Sequence, residues 1–107
     1  MEGIIIKQSL SDPKILEGFK ILEHERDDEV DWDLYTVEAT EAQVKQLANE
    51  IKDKWYTHFW QGREVIAVFR GKIFKFNFDD KENWKPAVDY GMSIGIPKEQ
   101  LDFPIDS

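Results

Sequence analysis

Tyr56, His58 and Trp60 stand at alternate positions of the segment Trp55-Tyr56-Thr57-His58-Phe59-Trp60-Gln61-Gly62, which runs into the apolar stretch Val65-Ile66-Ala67-Val68-Phe69. Alternate residues of a strand share a face, so these three rings point together while Trp55, Thr57 and Phe59 point the other way. Two large aromatics around an imidazole make a platform for a flat ligand, a peptide or a second copy of the chain. Arg70 and Lys72 follow at the next hairpin edge, where cations would orient an anionic or acidic partner. Tyr56, His58, Trp60, Arg70 and Lys72 are therefore the expected binding residues, provided helices cover the Phe59 side. In the opposite register all three rings are buried, and the strand is simply core.

Carboxylates form the second group. Seven fall between Glu23 and Asp33 against one cation, Arg26, a local −6 out of a net −8. Asp27, Glu29, Asp31, Asp33 and Glu38 match the ligand positions of a calcium loop, but Trp32 stands where that loop turns on glycine. The flanks read as strands, and alternate strand carboxylates do not converge on one ion. The expected reading is a solvated hairpin whose charges also keep a sheet edge from pairing with other chains. His24, set among these acids, is expected to be exposed with a stabilised proton. No metal site is predicted.

Catalysis has no defensible nucleophile. Ser93 sits between glycines that look structural, with no base or elbow-like turn at hand. Abundant carboxylates on a wet hairpin lack the pocket that raises a catalytic acid's pKa. There is no phosphate-cradling glycine loop, so no cofactor is predicted. The chain has no cysteine, which removes disulfides, thiol nucleophiles and iron–sulfur ligation.

A chain of 107 residues, 41% hydrophobic and 34% charged, reads as one soluble domain spanning residues 1–107. The net −8 argues against nucleic-acid binding, which depends on cations displacing counterions from phosphate. From Arg63 to Lys85 the balance reverses, with six cations against four acids. No stretch has the roughly 20 apolar residues that cross a bilayer. Met1-Glu2-Gly3-Ile4-Ile5-Ile6-Lys7 has no basic region and only a short apolar run, so it does not read as a signal peptide. A cytoplasmic location is expected, with no membrane partner.

The elements that must position these groups follow from periodicity and punctuation. Strands are expected over Gly3–Leu10, Lys20–Arg26 and Val30–Ala39, with a short helix from Ser11-Asp12-Pro13 to Gly18. Thr40-Glu41-Ala42-Gln43 is a capping box, opening a helix over Thr40–Lys54 with Val44, Leu47, Ala48 and Ile51 on its dry side. Strands Trp55–Trp60, Glu64–Arg70 and Lys72–Phe78 come next, joined by turns at Gly62 and Gly71. A last helix, Asn83–Ile94, must hold Pro86 in its first turn and end on Gly95. One further turn over Pro97–Leu101 is expected, anchored by Leu101 and Phe103. The predicted fold is α+β: a two-layer sandwich with an antiparallel sheet of five or six strands and both main helices on one face. Its core should hold Ile5, Leu34, Val44, Leu47, Ile51, Phe59, Val68, Phe74, Phe76, Trp84, Val88 and Ile94.

The Trp-Tyr-x-His-Phe-Trp strand, the Val-Phe-Arg-Gly-Lys-Ile-Phe hairpin and the ending Gly95-Ile96-Pro97-Lys98-Glu99-Gln100-Leu101-Asp102-Phe103 resemble a group of small uncharacterised prokaryotic proteins. The resemblance spans about the second half of the chain. It implies a free-standing single domain and brings no activity, cofactor or catalytic residue.

Two function classes follow. The leading one is a small non-catalytic binding or adaptor domain that uses the open sheet face for a protein partner or for self-association as a homodimer. The alternative is an acidic mimic or inhibitor that occupies the nucleic-acid site of a basic protein, its carboxylates standing in for phosphates. A small-ligand enzyme is third, and would need a deep pocket with convergent polar groups.

Overall fold

A computed structural model describes residues 1–103 and 105. Six strands form one antiparallel sheet: β1 (Glu2–Ile6), β2 (Lys20–Asp27), β3 (Trp32–Glu38), β4 (Tyr56–Gln61), β5 (Glu64–Phe69) and β6 (Lys72–Asn77). Their spatial order is β2-β3-β1-β4-β5-β6, so the first strand lies in the middle and β2 and β6 are the edges. The two main helices are α1 (Glu41–Glu50) and α2 (Lys81–Ser93). This is the expected α+β class with an antiparallel sheet.

The placement of the helices differs from the expected two-layer sandwich. Val44, Leu47 and Ala48 of α1 pack with Ile5, Val37, Phe59, Ile66 and Val68. Trp84 and Ala87 of α2 pack with Val65, Ala67, Phe69 and Phe76, together with Ile96, Leu101 and Phe103 of the tail. Ile66 and Val68 alternate with Val65, Ala67 and Phe69 along β5, so α1 and α2 lie on opposite faces. The physical reason is written in β5, which is apolar and buried at every position from Val65 to Phe69. A strand covered on one side needs apolar residues only at alternate positions; a continuous run needs cover on both.

Cover is unequal along the sheet. On the α1 side, Leu10, Leu16 and Phe19 from the connection after β1 extend the core out beneath β3. On the α2 side, the described residues of the helix and tail pack over β4, β5 and β6, while the β1–β3–β2 half has no helix over it and Ile105 of the tail borders a hollow there with Ile4, Leu34 and Trp60. Leu34 is therefore only half-buried instead of core, because its face of β3 has no helix over it. Phe74, Val88 and Ile94 are likewise partly exposed at the margin of the α2 cluster.

Local chemistry sets the boundaries. The first strand ends at Ile6, not Leu10, where Ser9 Oγ donates to the Ile6 carbonyl at 2.6 Å and closes a tight turn. Thr40 and Gln43 form the reciprocal capping box of α1. That helix stops at Glu50, short of Lys54, because the chain on either side of Ile51 pairs elsewhere. Ser11 N donates to Glu50 O and Lys52 N to Ser9 O, both at 2.7 Å, and Ile51 bridges Leu10. Pro86 lies inside α2 and not in its first turn. It removes one amide donor, and the carbonyl so freed belongs to the exposed Glu82. Gly95, with φ 100°, ends the helix, and Ile96 N reaches back to Gly91 O at 3.0 Å. Leu101 then packs over Gly91, where a Cβ would stand 2.6 Å from its methyl carbon.

Candidate binding groove

The half of the α2-side face with no helix over it carries side chains that the register arranges in rows. Glu23, Thr36, Ile4 and His58 form one row; Glu25, Leu34 and Ile6 form the next; Asp27 and Trp32 form a third. Ile4, Ile6, Trp32, Leu34 and Thr36 are all half-buried, so this is an apolar floor still in contact with water. The tail rises along one side of it. Tyr56 donates its hydroxyl to the carbonyl of Gln100, with a second, longer contact to the carbonyl of Asp102 at 3.2 Å. Burial, then the Asp102 carboxylate, pushes the Tyr56 phenol up to about 12.

Between floor and tail lies a groove of about 540 Å³, bordered by Ile4, Ile6, Val30, Trp32, Trp55 and Tyr56 among others. That volume is in the range of sites that hold small ligands or side chains of a partner. Trp32 and Trp55 meet at its wall with ring centroids 5.3 Å apart and planes at 60°. Asp31 (φ 60°) and Lys54 (φ 67°), the only described non-glycine residues with positive φ, immediately precede them. Ile4 is shared with a second hollow of about 310 Å³, whose other walls include Glu23, Glu25, Leu34, Trp60 and Ile105 of the tail.

The expected binding residues separate. Tyr56, His58 and Trp60 do share a face, as period two requires. The expected open aromatic platform is nevertheless corrected: His58 is 7% exposed and Trp60 6%. Phe103 of the tail, fully buried, lies 5.6 Å from Tyr56 and 5.9 Å from His58 and continues into Phe76 and Trp84. His58 and Tyr56 still border the groove; Trp60 borders the smaller hollow. Arg70 turns to the α1 side and donates to the Ile51 carbonyl at 3.3 Å. Lys72 pairs with Phe69 across from Tyr56, at the exposed β6 edge. Neither cation reaches the groove. Trp32, Trp55, Ile4 and Ile6 are not among the binding residues expected from sequence, although Val30, Trp32, Leu34 and Thr36 alternate with Asp31, Asp33 and Tyr35.

The acidic hairpin is sorted by face. Arg26 draws in Asp28, Asp31 and Asp33, meeting Asp33 at 2.8 Å. Asp33 also accepts from Gln8 Nε2 at 3.0 Å and meets His24 Nε2 at 3.1 Å. The Gln8 bond, then His24, with Arg26 adding to both, holds the Asp33 carboxyl below its usual range. His24 stacks flat on Tyr35, with centroids 4.3 Å apart and planes within 1°. Its side chain is 45% exposed, and this dyad borders no described cavity or nucleophile, which makes it a brace for the hairpin. The calcium-loop register does not converge: Asp31 and Asp33 serve Arg26, and Asp27 accepts the amide of Glu29. Glu23 and Glu25, on the groove face, form no ion pair among the described residues.

No helix among the described residues is long and apolar enough to cross a membrane. No family model, curated protein or solved structure matches the chain.

Proposed function

We propose that this protein is a small non-catalytic binding domain whose docking surface is the half of the α2-side face with no helix over it, on β1 and β3. One observation carries the reading. The sheet leaves Ile4, Ile6 and Trp32 half-buried around a groove of about 540 Å³, with Leu34 half-buried at the adjoining hollow. Aromatic and aliphatic side chains in a partly dry hollow are the typical anchors of protein interfaces. The site is one strand-width away from the patch expected from sequence and retains Tyr56 and His58 as its inner wall.

The acidic-mimic reading has less support. A mimic presents many free carboxylates over a broad face, whereas three in this hairpin fold around Arg26.

Val30 and Met92 give a matched test, since both are 47% exposed and only Val30 borders the groove. A photo-crosslinking amino acid at Val30 should yield a discrete adduct in cells, competed by excess unmodified protein, while the same residue at Met92 should not. An adduct of twice the chain mass would identify self-association. Equal labelling from both positions, or none from Val30, contradicts the proposal.

A further inference from the structure

We infer that the occupant of this face is a basic, apolar segment of another protein, with aliphatic side chains on the Ile4–Ile6–Leu34 floor and cations against Glu23, Glu25 and Asp27. The inference rests on the docking surface proposed above and adds the chemistry of what docks there. Its first support is the sorting of charge between the two sides of one strand. Along β2, His24 and Arg26 face the α1 side with Tyr35 and Asp33. Glu23, Glu25 and Asp27 face the groove side, paired with Thr36, Leu34 and Trp32. Arg26 thus pairs with Asp28, Asp31 and Asp33, and leaves Asp27 at the groove and Glu23 and Glu25 at the adjoining hollow without an ion pair among the described residues. Lys54 is the only lysine or arginine among the described residues lining the groove, and its aliphatic stem passes beside Gly95.

The second support is the tryptophan pair. Two indoles 5.3 Å apart at 60°, next to Asp27 in the register, offer π faces and a carboxylate to the same incoming group. A lysine or arginine side chain uses both, with its stem on the rings and its charge toward the acid. An acidic segment would meet the Glu23–Glu25–Asp27 rim as like charge, which opposes association. A second copy is opposed in the same way. Two chains meeting through this face would be related by a twofold axis and would bring identical carboxylate rims together.

Three labelled peptides of eight residues, the length of β2, test the idea by fluorescence anisotropy: alternating leucine and lysine, leucine and serine, and leucine and glutamate. The leucine–lysine peptide should bind at least about tenfold tighter than the other two and weaken as salt rises. The exposed double substitution Glu23→Lys/Glu25→Lys should remove at least about tenfold of that affinity, and Val30→Ser should weaken all binding. Equal binding of the leucine–serine peptide, still weakened by Val30→Ser, overturns the cationic partner while leaving the surface in place. Binding indifferent to every substitution, or no binding, overturns both. Light scattering that shows a dimer lost on Val30→Ser overturns the inference in favour of a second copy.

Discussion

Trp32 and Trp55 meet at 5.3 Å across the mouth of the groove, and each follows a residue held in the left-handed region, Asp31 at φ 60° and Lys54 at φ 67°. The two indoles come from segments far apart in sequence, the start of β3 just after the β2–β3 turn and the link from α1 to β4. Both segments spend an unfavourable backbone conformation just where a tryptophan must be aimed.

That geometry makes Lys54 a test of backbone strain. Glycine adopts positive φ without cost, so Lys54→Gly should be neutral or stabilise by up to about 1 kcal/mol. Lys54→Val places a β-branched residue there and should destabilise by about 1–3 kcal/mol in urea unfolding. A Val variant as stable as the wild type would remove the strain from the account.

Phe103 closes the covered half of the same face. It is fully buried against Tyr56, His58, Phe76 and Trp84. Phe103→Ala should cost about 3–5 kcal/mol, a large part of a small domain's stability. A loss under about 1 kcal/mol would show that the tail is a loosely held strap. On the other face, a Cβ at Gly3 would stand 2.2 Å from the Phe59 ring, so Gly3→Ala should cost about 1–3 kcal/mol by overpacking.

Tyr56 ties the tail to β4, and its phenol is pushed up to about 12 from an ordinary 10.0. The folded state therefore favours the neutral phenol. Its stabilisation is complete below pH 10.0 and is lost as pH rises toward about 12, because the unfolded chain ionises first. Tyr56→Phe should be less stable at neutral pH by about 0.5–1.5 kcal/mol. It should also lose less stability than the wild type across that alkaline window, as followed by chemical melts at stepped pH. Parallel curves would contradict the assignment.

Asp33 responds in the opposite sense. Gln8, His24 and Arg26 favour its charged form and lower it from 3.8. The stabilisation is present above pH 3.8 and disappears as pH falls through the lower folded value. Asp33→Asn should therefore blunt the acid-induced loss of stability seen by circular dichroism. An acid transition unchanged by the substitution would assign that loss to other carboxylates.

Much of the fold is legible in the residues. Thr40 and Gln43 mark the start of α1, Gly62 and Gly71 the hairpins, and Gly95 the end of α2, because each meets a local backbone requirement. What period two leaves open is which sides of a strand find cover. Tyr56, His58 and Trp60 do share one face, but a distant ring, Phe103, packs against Tyr56 and His58 where the sequence predicts an open platform. The unbroken Val65–Phe69 run is a signal of cover on both sides, which the expectation of both main helices on one face leaves unused. The groove was hidden for another reason. Trp32 and Trp55 are separated in sequence, and only the order β3-β1-β4 brings their connections together.

The most direct measurement of the central claim is a map of amide and indole shifts in the isotopically labelled protein on adding the leucine–lysine peptide. Saturable shifts at Ile4, Ile6, Leu34, Val30, Glu23, Glu25, Asp27 and the Trp32 and Trp55 indoles, with Arg63 and Lys85 unmoved, are the predicted result. Shifts centred on the outer surface of α2 or the β6 edge, with both indoles unmoved, would contradict it.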